Sequence, residues 1–251
     1  MDTSTARRFR NRLQAGRLLA ERLREYGGRE DVLILGLPRG GIPVAFEIAN
    51  ALKAPLDVLP VRKLGVPSHK ELALGAIASG GTRVLNKRLI LSLGISPEWI
   101  EAIETSERLE LQRRELAYRA ERPHLELAGK TIILADDGLA TGLTMLAAIN
   151  AVRHGDPAQV LVAVPVAGPH VCASLSDVAD EVVCLSTPQP LRAIGAWYED
   201  FSQTTDEEVR ELLTKAARFA AAPPQSPPTS HHILTPALPA AHGAARPELS
   251  A

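Results

Sequence analysis

Ile132-Ile133-Leu134-Ala135-Asp136-Asp137-Gly138-Leu139-Ala140-Thr141-Gly142-Leu143-Thr144 carries an apolar run into two adjacent carboxylates, and then into small, hydroxylated and glycine residues. Thr131 to Ala135 reads as a strand, and a helical pattern over Gly142 to His154 begins where the loop ends. At such a helix start, backbone N–H groups and the positive end of the helix dipole make a phosphate site, to which Thr141 and Thr144 add hydroxyl donors. Asp136 and Asp137, at the carboxyl end of the strand, are suited to accept hydrogen bonds from a vicinal diol or to help hold a hydrated divalent cation. Phosphate beside diol describes a ribose 5-phosphate. An ordinary Asp-Gly turn accounts for Asp137-Gly138 and leaves the rest of the run unexplained.

Outward from this stretch, short apolar runs recur at Val32 to Leu37, Pro55 to Val61, Val160 to Val166 and Glu181 to Leu185, with helical patterns at Ile42 to Leu52 and His170 to Ala179. Strand and helix in alternation predict an α/β fold, an open, mostly parallel sheet flanked by helices. The first run ends in Leu37-Pro38-Arg39-Gly40-Gly41, a glycine turn before a helix. Its N–H groups approach an anion without Cβ obstruction, and Arg39 adds a planar cationic fork. The spacing is neither the dinucleotide fingerprint nor a Walker loop. On one sheet edge with the acidic loop, it supplies a second phosphate site where open α/β sheets bind ligands.

Other segments are less specific. Thr5 to Tyr26 reads as an amphipathic opening helix whose arginines, Arg7, Arg8, Arg10, Arg12, Arg17, Arg22 and Arg24, form a solvated face. Between the second and third strands a block breaks the alternation: a polar loop Lys63 to Lys70, strand-like stretches near Leu74 to Ala78 and Arg83 to Leu85, and a charged helix from Pro97 to Arg122. This block reads as an insertion or flap, and its loop, with Lys63, His69 and Lys70, as a candidate lid or an ordinary surface loop. Trp197, Tyr198 and Phe201 pack a small hood or, alternatively, offer a flat ring for stacking a base. Thr205 with Glu208 forms a capping box for a last helix to Arg218. Residues 1–220 therefore read as one domain. Residues 221–251, with seven prolines from Pro223 to Pro247, read as a disordered tail.

Composition bounds the rest. In 251 residues, a hydrophobic share of 45% is ample for a core, and 28 basic against 29 acidic residues give a net charge of -1, so no overall field favours nucleic acid or an anionic membrane. Neither a secretory h-region nor a membrane-spanning run is evident. Two cysteines, Cys172 and Cys184, make no disulfide framework and no four-thiolate zinc site, which points to a reducing compartment, with the cytoplasm as the default location.

Two anion loops and an acidic pair together resemble the type I phosphoribosyltransferases. More loosely the resemblance runs over Arg7 to Ala217, where Arg62-Lys63-Leu64-Gly65, Glu71-Leu72-Ala73 and Gly195 to Val209 are similar to the stand-alone phosphoribosyltransferases predicted in bacteria. By that resemblance, Asp136 and Asp137 bind the ribose of phosphoribosyl pyrophosphate (PRPP) and Gly138, Leu139, Ala140, Thr141, Gly142, Leu143 and Thr144 its 5-phosphate. Leu37, Pro38, Arg39, Gly40 and Gly41 take the pyrophosphate, with a cis peptide at Pro38-Arg39. The resemblance implies Mg²⁺, held indirectly with PRPP by Asp136 and Asp137, and a nitrogen acceptor such as a nucleobase; Asp136, Asp137 and Arg39 are the expected catalytic residues. Some relatives of that subfamily are fused to hydrolase domains; none is expected here. A homodimer is compatible with it. Ala140 stands where enzymes for 6-oxopurines usually carry aspartate, and Leu143 is bulkier than the residue usual there. A PRPP-sensing regulatory protein without catalysis is the alternative expectation.

Overall fold

The computed structural model describes residues 8–66, 69–119 and 126–220. α1 (Arg12–Arg22) leads through a 3-10 turn to β1 (Val32–Gly36), α2 (Gly41–Leu52) and β2 (Leu56–Val58). Next come β3 (Val61–Val66), β4 (His69–Ala78), β5 (Arg83–Leu85), α3 (Lys87–Leu93) and α4 (Pro97–Arg119). The alternation then resumes with β6 (Thr131–Ala135), α5 (Leu143–Arg153), β7 (Gln159–Val166), α6 (Pro169–Ser176), β8 (Glu181–Ser186) and α7 (Asp206–Ala220).

The main sheet has the order β2-β1-β6-β7-β8, every neighbouring pair parallel. β1 and β6 are buried along their whole length because helices cover both faces, which is why these strands read as unbroken apolar runs. On one face Leu19, Leu23, Ile42, Ile48, Val209 and Leu213 join α1, α2 and α7 to the sheet; on the other Met145, Ile149, Val171 and Leu175 join α5 and α6. Each such side chain contributes about 1.5–3 kcal/mol on full burial. From β1 the chain crosses to β2 on one side, whereas β6 lies on the other. The strand order therefore reverses between β1 and β6, the kind of crevice where open α/β sheets bind ligands.

The insertion is a second, antiparallel sheet, β3-β4-β5. Val61, Ala76 and Ala78 of this sheet join the core under α5, while Leu64, Val66, Leu74 and Ile77 pack on Leu111 of α4. The polar loop expected at Lys63 to Lys70 is thus corrected: residues 61–66 and 69–78 pair, with Lys63 opposite Ala76 and register shifts around Gly65. Long-range pairing overrides the local loop signal of glycine and charge. α3 is also unforeseen; Asn86 caps it by accepting from the Leu89 N–H at 3.1 Å, and Gly94 ends it at φ 61°.

At the chain's start the helix expected from Thr5 begins at Arg12, after non-helical residues 8–11, with Thr5 to Arg7 outside the described residues; Asn11 caps it, its side chain accepting from the Gln14 N–H at 2.9 Å. Phe9 pairs instead with the hood: its N–H donates to Trp197 O and its carbonyl accepts from the Glu199 N–H, both at 2.8 Å. Thr205 Oγ1 accepts from the Glu208 N–H, as its capping role requires. Cys172 of α6 and Cys184 of β8 are joined by a disulfide, their Cα atoms 7.3 Å apart; one bridge is no framework, but the two are not free thiols. Among the described residues no helix is long and apolar enough to cross a membrane. The tail at 221–251 and the helix end at 120–122 lie outside the described residues.

Candidate functional site

The two loops meet at the switch point because β1 and β6 are neighbours. The Leu37 N–H donates to Ala135 O at 2.9 Å, extending the β1–β6 pairing one step into the loops. Beyond it, Gly41 lies so close to β6 that a Cβ would stand 2.7 Å from Ala135 O and 2.9 Å from Asp136 Cα. At Gly40 a Cβ would overlap the carboxylate of Asp137. Only glycine permits that approach. The Pro38-Arg39 peptide is cis. α2 starts at Gly41 without a side-chain cap; instead the turn itself takes its first donors, the Gly41 N–H going to Leu37 O at 3.0 Å and the Ile42 N–H to Arg39 O at 3.1 Å, and Pro43 has none. Arg39 is half-buried, and its Nη1 stands 3.8 Å from Asp206 Oδ1 at the start of α7.

Asp136 and Asp137 leave the carboxyl end of β6 side by side. The Asp137 N–H donates to Asp136 Oδ1 at 2.8 Å. Burial, reinforced by the neighbouring charge of Asp137, raises the Asp136 carboxyl well above the usual carboxylate range. Burial also raises Asp137, against the opposing pull of the Arg12 guanidinium. Arg12 Nε donates to Asp137 Oδ2 at 2.8 Å, and the Tyr198 hydroxyl donates to the Asp137 carbonyl at 2.6 Å. The following loop is anchored by Leu139, whose buried side chain and N–H, donated to Val166 O at 2.9 Å, tie it to the end of β7. Gly142 turns the chain at φ 75° into α5, which has no side-chain cap. Gly138, Ala140, Thr141, Gly142, Leu143 and Thr144 line a hollow of about 160 Å³ with Ile194 of the hood and Lys63 of β3. Small residues, hydroxyls and an uncapped helix start around one cation suit a phosphate.

The structure thus brings Leu37 to Gly41, Asp136 to Thr144 and Lys63 together. His69 and Lys70 begin β4, on a strand rather than in a loop. The aromatic trio packs the hood. Tyr198 is 3% exposed, its ring centroid 5.5 Å from Phe9 and 4.9 Å from Phe201. Trp197 is half-buried in the same cluster, and Phe201 lies under Arg12, whose Cζ is 3.9 Å from the ring centroid. The stacking alternative is therefore corrected for Tyr198, whose ring is enclosed within the protein. Arg12 is the site residue that reading the sequence missed; the opening helix is rich in arginines, and nothing local tells the one that reaches Asp137 from those that face solvent.

A model of the phosphoribosyl transferase domain matches residues 8–190. Two curated proteins of Mycobacterium tuberculosis, both provisionally described as phosphoribosyl transferases, are 46% identical over 210 residues, which is 84% of this chain and 47% of each relative. The chain therefore spans about half the length of those relatives. The crystal structure of TT1426 from Thermus thermophilus is similar at 44% identity and a TM-score of 0.69, covering 83% of this chain and 98% of that one. With a domain match that spans both loops and the flap between them, the chain belongs to the phosphoribosyl transferase domain family.

Proposed function

We propose that the chain transfers the 5-phosphoribosyl group of PRPP to a nitrogen nucleophile, a nucleobase by chemical class, and releases pyrophosphate. The packing of Gly40 and Gly41 on Asp136 and Asp137 carries this reading. It sets the glycine turn with Arg39 on one side of the acidic pair and the uncapped start of α5 on the other, the order of groups in a ribose bearing a pyrophosphate at C1 and a phosphate at C5.

In this reading the 5-phosphate accepts hydrogen bonds from N–H groups of Gly138 to Thr144 and from the hydroxyls of Thr141 and Thr144, with the positive charge of Lys63 at the border. Asp136 and Asp137 accept from the ribose hydroxyls and fix the ring's orientation. Arg39 and the N–H groups of the glycine turn take the pyrophosphate, whose negative charge grows as the C1–O bond breaks. The nitrogen attacks C1 from the opposite face, with inversion, and its proton leaves to solvent. The β3–β4 hairpin, bearing Lys63, His69 and Lys70, is assigned the role of a lid that excludes water.

The donor set fits a magnesium ion that arrives with PRPP. Asp136 and Asp137 are hard oxygen donors, yet among the described residues no three such groups cluster to hold an ion alone. Bound there, the ion would neutralise charge on the departing pyrophosphate.

The test is calorimetry with PRPP and Mg²⁺ on the wild type and on the double variant Asp136→Asn, Asp137→Asn, with pyrophosphate release followed over a panel of bases. Each lost charged acceptor costs about 1.5–3 kcal/mol, so the double variant should bind on the order of a hundredfold or more weakly. Equal binding by both proteins refutes the site. Binding without pyrophosphate release for any base refutes the transfer.

A further inference from the structure

We infer that Arg12 is a positioning residue for the ribose-binding carboxylate: its guanidinium sets the orientation in which Asp137 meets the ribose hydroxyls. This rests on the phosphoribosyl reading of the site. The observations are geometric. Arg12 Nε donates to Asp137 Oδ2 at 2.8 Å, Nη1 donates to Ser202 O at 2.7 Å, and the guanidinium covers the Phe201 ring. The side chains of Arg12 and Asp137 are only 12% and 16% exposed. A long cationic side chain so held has given up most of its rotamer freedom, which a merely solvated arginine keeps.

Two adjacent carboxylates repel each other, and a second buried charge beside Asp136 needs a counter-ion. Asp137 is closed in by the backbone of Gly40 on one side, and its carbonyl is taken by Tyr198. Arg12 engages Asp137 at Oδ2 through a single N–H, one bond of the fork rather than two. Its neighbour on the same helix shows the contrast. Arg17 makes a two-pronged pair with Glu47 of α2, at 3.0 Å for each bond, and its side chain is 65% exposed. That pair ties two helices together; the Arg12 pair ties the opening helix to the ligand-binding carboxylate.

The experiment titrates ribose 5-phosphate without metal, and pyrophosphate with Mg²⁺, into the full chain as wild type, Arg12→Gln, Arg12→Lys and Arg17→Gln, with a thermal melt of each. Arg12→Gln should bind ribose 5-phosphate about ten- to a hundredfold more weakly, with pyrophosphate affinity unchanged. Arg12→Lys, which keeps the charge but loses the fork, should fall between, roughly three- to fivefold weaker than wild type. Arg17→Gln should bind both ligands as wild type does, whatever its melting temperature. Unchanged ribose 5-phosphate binding in Arg12→Gln, or equal losses for both ligands, overturns the inference. If Arg12→Gln does not fold, Arg12→Lys decides alone: wild-type affinity for ribose 5-phosphate overturns it. A wild type that binds neither ligand fails at an earlier point, removing the phosphoribosyl reading and the inference with it.

Discussion

Gly40 and the carboxylate of Asp137 are in direct contact, although one ends the turn after β1 and the other begins the loop after β6; a Cβ at position 40 would overlap Oδ2. Gly40→Ala therefore has to displace either the glycine turn or the acidic side chain. The expected outcome is a stability loss of about 1–3 kcal/mol together with weakened PRPP binding. A melt and a PRPP titration check it; a variant unchanged in both would mean that the two loops are free to separate.

The half-buried acidic pair is expected to destabilise the ligand-free protein at neutral pH. Because the Asp136 carboxyl is raised by burial and by the Asp137 charge, the folded state holds its proton more tightly than the unfolded state does. Its stabilising contribution is fully present below the unfolded carboxyl range, about pH 4, and is lost as pH rises toward and through the raised folded value. Asp136→Asn removes this loss. Urea unfolding of ligand-free protein from pH 4 to 8 should show the variant more stable than wild type at pH 8, with the two converging in acid. A less stable variant at pH 8 would contradict the burial of charge.

Tyr118 near the end of α4 donates its hydroxyl to Asp206 Oδ1, and Asp206 stands 3.8 Å from both Arg39 and Arg113. That hydrogen bond, aided by the guanidinium groups, holds the Asp206 carboxyl below its usual range. Tyr118→Phe leaves a carboxylate that water still reaches, so the expected cost is about 1 kcal/mol rather than the larger penalty of an orphaned buried charge. Chemical denaturation at pH 7 measures it. A loss several times larger would mean that the contact organises the junction of α4 with α7 as a whole.

Ala140 borders the hollow proposed for the 5-phosphate and offers neither a charge nor an acceptor there. We expect 6-oxopurines not to be the preferred acceptors, because a missing charged hydrogen bond to the purine would cost about 1.5–3 kcal/mol, roughly ten- to a hundredfold in rate. Adenine, uracil, orotate, hypoxanthine and guanine, compared under identical PRPP and Mg²⁺ with wild type and Ala140→Asp, provide the check. Fastest turnover of hypoxanthine or guanine by the wild type would remove any substrate information from position 140.

The main sheet was legible because its strands are buried on both faces and so carry unbroken apolar runs, and because Asp136 to Thr144 marks a strand end, a loop and a helix start in one stretch. The glycine turn at Gly40 and Gly41 was likewise read from its residues, and the cis peptide at Pro38-Arg39 was what the phosphoribosyltransferase resemblance implied. Each of these is local: a run of residues, a helix start, a turn.

The flap hairpin and the arginine at the site were not local. Val61 to Val66 is a strand only because β4 lies beside it, and Lys63 reaches the hollow lined by Gly138 to Thr144 only because that hairpin packs under α5. Arg12 was one arginine among several until the fold of the opening segment against the hood set its guanidinium on Asp137. The sequence by itself determined which groups are chemically suited to a phosphate and a diol, since that chemistry resides in residue type and immediate neighbours. Which cation supports which carboxylate was decided by tertiary structure alone, because a salt bridge between residues 12 and 137 depends on packing that brings distant segments within 3 Å, and no pattern in either segment encodes the other's position.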